Sequence, residues 1–429
     1  MKIKSITLNN FRCFENLKID LNDGLTVIVG NNGAGKSSIL DAISIAIGTF
    51  LTGFDSVSTV PIAKEDAHYK FYDMGSVIDV QSQFPVIISA EGCVDGKSIA
   101  WKRELSSSTG RTRIVDAKEI TFQSTEYQKR ISAGDKSLIL PILSYYGTGR
   151  LWAQKREKVG SEQLYKFSRL IGYTDCLAAE SNEKLMIKWF EKMTIQEAQN
   201  KVVSPEFLAV KQAMVKCFQG ITGYSNVDVL FNLDTHNVDI HYEDHAGTHL
   251  TFPMMTLSDG YKSTLCLVAD IAYRMAILNP QLLGEVTQKT CGIVLIDEID
   301  LHLHPLWQQR IIKDLTTIFP LVQFIVSTHA PTIISSVCKE NLLILEGCDS
   351  AAYSGIEVYG SDSNSVLESI MGANERPVEI KELFSSFYDL VEEQSWKQAE
   401  EILNSIEEKI GSSDPELNSA RITLRLEQV

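Results

Sequence analysis

Apolar and polar residues alternate over positions 2–8 and 17–21, the period of short half-buried strands, whereas LTVIVG at 25–30 is apolar almost throughout, as a strand buried on both faces is. SSILDAISIAIG follows with helical spacing, and Gly48 is placed to end that helix. Residues 85–115 predict an antiparallel meander: PVIISAEG, a turn at Asp95-Gly96, SIAWKREL, a Ser/Gly turn and RTRIV. LPILSYYG at 140–147 predicts a further buried strand, and 150–220 reads as polar and mainly helical. Strands resume with DVLFNLD, NVDIHYED and HLTFPM, and a long helix spans about Tyr261 to Leu278, closed by Asn279-Pro280. The strand CGIVLIDE, the helix PLWQQRIIKDLTTIF and the strands VQFIVSTH and NLLILEG complete an alternating α/β pattern. Trp396, Ala399, Leu403, Ile406 and Ile410 mark the apolar stripe of a C-terminal amphipathic helix, reached through the polar stretch GSDSNS.

Composition narrows the class. The 429 residues are 44% hydrophobic, enough for one large core or two to three smaller ones. A net charge of −15 excludes wholesale electrostatic binding of nucleic acid. Residues 101–170 nevertheless hold 14 Lys and Arg against 7 Asp and Glu, and residues 371–429 hold 6 against 13. The basic segment is equally compatible with DNA contact, partner docking and a solvated face. Eight scattered cysteines without a C-x-x-C pair suit a reducing cytoplasm. The first residues carry no continuous apolar run and no stretch reaches 18 apolar residues, so neither a signal peptide nor a membrane span is expected.

Candidate chemistry concentrates at two places. Gly30-Asn31-Asn32-Gly33-Ala34-Gly35-Lys36-Ser37-Ser38 fits G-x-x-x-x-G-K-[ST] between a buried strand and a helix, the context a P-loop requires. The glycines let successive N–H groups face phosphate oxygens at a helix N-terminus, Lys36 reaches the β- and γ-phosphates of ATP, and the Ser37 hydroxyl ligates Mg²⁺. The second place, LIDEIDLHLHP at 295–305, crowds Asp297, Glu298, Asp300, His302 and His304 together. A transition-metal site would use the alternate histidines, yet Pro305 fits the first turn of a helix and no third ligand is placed by sequence. A strand that ends in Asp-Glu instead supplies Asp297 to Mg²⁺ and Glu298 to the attacking water. No guanine-reading NKxD motif appears, which argues against a GTPase.

With Leu257-Ser258-Asp259-Gly260 opening the long helix and Thr328-His329 ending the next strand, the set resembles that of ABC-type ATPases. Asn10-Phe11-Arg12 ahead of the P-loop is similar to the SMC, RecF and OLD branch. That resemblance implies an α/β ATPase head in which two copies sandwich two nucleotides. Ser258 and Gly260 would donate to the γ-phosphate in trans, His329 would sense it, and Arg12 would contact nucleotide beside Lys36. LSDGYKS, SYYGTGRLW, IDEIDLHLHPLWQQR, STHAP and YGSDSNSVLESIMG further resemble the ATPase family of the Septu anti-phage system and its retron-associated relatives, whose partner is an HNH nuclease. Two departures stand out. Asp259 and Tyr261 replace the usual glycine and glutamine of the signature, and no glutamine follows the strand LPILSYYG to place a Q-loop, which leaves Arg150 and Gln154 only as guesses.

The expected organisation is a first ATPase lobe with an antiparallel β subdomain (1–120), a mainly helical insertion (121–225), a second ATPase lobe (226–360) and a C-terminal helical tail (361–429). The expected function is a cytoplasmic, oligomeric ATPase that regulates an HNH nuclease in anti-phage defence. The rivals are a RecF/OLD-like repair ATPase acting directly on DNA and an ATP-gated scaffold that does not turn over.

Overall fold

A computed structural model describes residues 1–55, 57–151, 168–178, 183–348 and 350–427. The chain divides into two units, Met1–Ser361 and Asp362–Val429.

Strands with no polar face need cover on both sides, and the first unit supplies it. Its central sheet has six strands in the order Ser350–Tyr353, Leu342–Glu346, Leu25–Gly30, Val322–Ser327, Gly292–Ile296 and Ile142–Tyr146. All neighbours are parallel except the first pair. Gly292–Ile296, Val322–Ser327 and Ile142–Tyr146 are buried at every position, as parallel strands between two layers must be. Because these strands run the same way, the loops after Gly30, Ile296 and Ser327 emerge at one edge, where α/β sheets bind their ligands.

A second, antiparallel sheet is ordered Phe14–Asp20, Lys2–Phe11, Val86–Val94, Lys97–Leu105 and Arg113–Val115. Val86–Val94 alternates buried and accessible positions, so one face packs inward and the other meets solvent. The helix Lys36–Leu51 lies between the two sheets and is buried along almost its whole length. It runs past Gly48, where the sequence places an end, as far as Leu51. Trp101 Nε1 donates to Ala46 O of this helix at 2.9 Å, and Arg103 Nη1 donates to Ile45 O at 3.1 Å. The P-loop helix is thus held by the β subdomain through its own carbonyls. A hairpin of Tyr69–Asp73 and Ile78–Ser82 leaves Phe71, Met74, Val77 and Ile78 exposed.

The segment expected as a helical insertion carries helices Lys118–Ser132, Glu183–Asn200 and Pro205–Thr222, and it also carries Ile142–Tyr146, the edge strand of the central sheet. A buried network fastens that strand to the long helix Asp259–Leu278: Tyr146 Oη and Arg274 Nε each donate to Asp270 Oδ2 at 2.7 Å. Arg274 Nη1 also donates to Gly172 O at 3.0 Å and Thr174 O at 2.9 Å. Asn279, which caps the helix, exchanges two bonds of 2.8 Å with the Leu140 backbone. Arg274→Ala would leave Asp270 buried without its countercharge, and is expected to destabilise the first unit by about 3–5 kcal/mol. The midpoint of urea unfolding reads this directly, and an unshifted midpoint would show the network to be dispensable.

The second unit is built from Ser363–Ser369, Val378–Glu392, Trp396–Ile410 and Pro415–Glu427. Ile380, Phe384, Phe387, Ala399, Leu403, Ile406 and Leu417 form its core, with Trp396 and Ile410 packed against it. Asp414 accepts two bonds from Arg376 and two more from the backbone N–H groups of Glu416 and Leu417, so the interaction that pairs the charge also caps the last helix.

Candidate functional site

The Gly30–Ser38 loop turns on two glycines with positive φ, +82° at Gly33 and +95° at Gly35, a conformation that strains residues with a Cβ. Space also forbids a side chain: a Cβ on Gly35 would lie 2.3 Å from the Phe14 ring, and one on Gly30 2.9 Å from Leu345 O. Lys36 begins the buried helix and is only 6% exposed. Its Nζ donates to Gly30 O at 2.8 Å and Asn31 O at 3.0 Å. Burial lowers its pKa, and the carboxylates of Asp297, Glu298 and Asp300 work against that shift.

Strand order sets what faces this lysine. Val322–Ser327 runs between the P-loop strand and Gly292–Ile296, so Ser327 ends between the P-loop and Asp297. Its hydroxyl donates to Asp297 Oδ1 at 2.5 Å and accepts the Glu298 backbone N–H at 2.8 Å. One buried serine therefore fixes both members of the acidic pair, and Glu298 takes a φ of +46° in doing so. The next residues repeat the device: Thr328 Oγ1 donates to Asp300 Oδ1 at 2.6 Å.

Arg12, Cys13, Asn32, Gly33, Gly35, Lys36, Ser37, Ser38, Asp297, Glu298 and His329 line a cleft of about 330 Å³. Burial and the charge of Lys36 lower the pKa of His329 below the ordinary imidazole value, opposed by the three carboxylates, so the neutral ring is favoured.

Half of the chain, residues 5–221, matches the family model described as an AAA domain. The chain belongs to this AAA-domain family. Residues 177–335 match a second model, described as an AAA domain, putative AbiEii toxin, of a type IV toxin–antitoxin system. The retron Vc95 probable ATPase of Vibrio cholerae is 28% identical over 81% of this chain and 74% of its own length. The Septu protein PtuA of Bacillus mycoides is 27% identical over 96% of this chain, which spans about half (51%) of that relative. A solved SMC head bound to the C-winged helix domain of ScpA aligns with a TM-score of 0.49 at 17% identity, covering 83% of this chain and 98% of that one. This AAA-domain chain is a P-loop ATPase related to PtuA, and it binds nucleotide.

Other expected residues of this ATPase lie elsewhere. Ser258 and Gly260 are not among the residues lining the cleft. Ser258 precedes the helix Asp259–Leu278 as its N-cap residue, is exposed, and makes no capping bond with its side chain. Gly260 is buried against the loop after the acidic strand, where a Cβ would come within 2.6 Å of His302 O and 2.7 Å of the Trp307 ring. Tyr261 packs on Trp307 with centroids 4.3 Å apart, which gives the unusual tyrosine of the signature a partner. His302, with φ +65°, thus supports the signature helix through its backbone, while His304 caps the following helix by accepting the Leu306 N–H at 3.3 Å. Gln154 lies outside the described residues.

Arg12 lines the cleft but is held from behind. Nη1 donates to Asp41 Oδ2 at 2.5 Å and Nε to Asp66 Oδ1 at 2.9 Å. These two acids, Ser327 and Cys13 are the site residues that the sequence reading missed. Ser327 alone carried a local signal, as the hydroxyl that precedes Thr328-His329 at a strand end. Several cations of the basic segment are also engaged within the fold. Arg103 is buried, Arg130 Nε donates to Asp135 Oδ2 at 2.7 Å, and Arg169 Nε donates to Leu278 O at 2.6 Å. Lys155, Arg156, Lys158 and Lys166 lie outside the described residues. No described helix is long and apolar enough to cross a membrane.

Proposed function

We propose that this ATPase is the nucleotide-driven subunit of an anti-phage defence assembly, that two copies close on ATP, and that closure controls an HNH nuclease partner. What carries the reading is the division of the ATPase set. Lys36, Asp297, Glu298 and His329 line one cleft, whereas Ser258 and Gly260 are not on it and the Ser258 hydroxyl makes no capping bond. A head so divided is completed by the signature loop of another copy. The relatives named as a retron ATPase and as Septu PtuA support the defence role, and the HNH partner rests on the sequence resemblance alone.

In this reading the arch of Gly33–Gly35 presents its N–H groups to the phosphates, and Lys36 moves its charge from the Gly30 and Asn31 carbonyls to the β- and γ-phosphate oxygens. The buried Asp297 carboxylate and the exposed Ser37 hydroxyl suit a hard cation, and Mg²⁺ held there would neutralise charge on the phosphates. Glu298 orients the attacking water and takes its proton. Ser327 keeps that carboxylate beside Asp297, and neutral His329 bonds the γ-phosphate. Arg12, tied to Asp41 and Asp66, presents a fixed cation at the cleft rim.

Light scattering of the Glu298→Gln protein should show its mass at least doubling when ATP and Mg²⁺ are added. Ser258→Arg, which places a bulky side chain at the junction, should abolish the increase. Normal ATP turnover in the Ser258→Arg protein, with mass unchanged by ATP, would refute the shared site.

A further inference from the structure

Two cysteines distant in sequence both meet the short P-loop arch. Cys13, just after the strand Lys2–Phe11, lines the cleft, and its Sγ stands 2.8 Å from where a Cβ on Gly35 would be. Cys348 lies between the strands Leu342–Glu346 and Ser350–Tyr353, and its Sγ donates to Gly33 O at 3.7 Å. The sulfurs therefore sit at the two glycines whose positive φ values shape the phosphate-binding turn. They are also near each other. Burial, then a hydrogen bond that Cys13 donates to Cys348 and the charge of Cys348, push the Cys13 thiol up to about 12. Both residues are partly accessible and both are free thiols.

We propose that Cys13 and Cys348 form a modification site for a small-molecule disulfide, and that bridging them shuts the nucleotide cleft. The inference rests on the reading of this cleft as the ATP site. The Cys13 thiol is a scarce thiolate, so Cys348 attacks first. Its sulfur bonds to one sulfur of the small disulfide, the S–S bond of the reagent breaks, and one reduced thiol leaves with the Cys348 proton. Cys13 sulfur then displaces the second half as a thiol that takes the Cys13 proton, leaving a Cys13–Cys348 bond. The two cysteines together lose two electrons, and one disulfide molecule becomes two thiols. A disulfide requires the sulfurs about 2.05 Å apart. Drawing them together at Gly33–Gly35 ties the turn after Phe11 to the turn after Glu346 across the arch and denies the loop the freedom to seat phosphate.

The test uses the full chain, oxidised glutathione as reagent, peptide mass mapping and binding of a fluorescent ATP analogue. Oxidation is expected to yield a linked Cys13–Cys348 peptide pair, lighter than the reduced pair by two hydrogens. Affinity for the analogue should fall by about tenfold or more, equal to about 1.4 kcal/mol or more, and dithiothreitol should restore it. Cys348→Ser should bind as the reduced wild type does and keep that affinity under oxidation. Failure to find the linked pair, an unchanged affinity once it has formed, or equal inhibition of Cys348→Ser would each overturn the proposal. Absence of nucleotide binding in the reduced wild type would instead overturn the reading of the cleft, and the switch with it.

Discussion

Replacing Glu298 by glutamine is expected to lower ATP turnover about 10²–10⁴-fold while leaving nucleotide affinity intact, the scale of a lost general base. The geometry makes this a clean experiment. The bond that positions Glu298 runs from its backbone N–H to Ser327 Oγ, so an amide side chain of the same length leaves it in place. The φ of +46° is likewise inherited by glutamine. Asp297 keeps its own bond from Ser327, so the charge facing Lys36 changes by one unit and no more. Single-turnover phosphate release, measured beside equilibrium binding of an ATP analogue, separates the two quantities. Unaltered turnover would remove Glu298 from the chemistry and favour the scaffold that binds without hydrolysing.

Lys36→Ala is expected to weaken ATP binding about 10²–10⁴-fold. Two charge-assisted hydrogen bonds to phosphate are lost, each worth about 1.5–3 kcal/mol, and every 1.4 kcal/mol is tenfold in affinity. The fold itself should survive. The hydrogen bonds of Lys36 in this structure are to the carbonyls of Gly30 and Asn31, and burial already disfavours its charge. Removing a buried cation also relieves a desolvation penalty. Calorimetric titration with ATP, accompanied by a circular dichroism melt, reads both parts. Affinity retained at the wild-type level would overturn the assignment of the loop, whatever the melt shows.

Much of the head was legible in the order of residues because its signals are local. Strands buried on both faces announce themselves as unbroken apolar runs, and the P-loop announces itself by glycines whose spacing only a tight turn needs. Long-range pairing leaves no such trace. Arg12 read as a phosphate contact, yet Asp41 and Asp66 hold its guanidinium, and nothing in the spacing of the three announces that network. The strand 140–147 was readable as buried, but its membership of the sheet depends on pairing with Gly292–Ile296. Hence a stretch expected as an insertion contains part of the nucleotide sheet. The hairpin Tyr69–Ser82 escaped notice for the opposite reason: its apolar residues are on the surface, where no core dictates their period. The two cysteines at the P-loop were read only as two of eight scattered cysteines, since only the folded sheet brings them to one arch.

The seating of Gly260 beneath His302 and Trp307 has a consequence for timing. The loop that begins at Glu298 also carries part of the surface on which the signature helix rests, and Gly260 meets the His302 carbonyl and the Trp307 ring with no room for a methyl group. In the two-copy site proposed above, a shift of that loop when the γ-phosphate departs would be transmitted as a movement of Ser258, and therefore as a loosened grip on the ATP held by the neighbouring copy. Each head would then learn of hydrolysis next door before its own begins. Copies arranged in a chain or ring would fire in sequence, like dominoes with a direction, and a mixed assembly carrying a few Glu298→Gln subunits would stall far more often than their share alone implies.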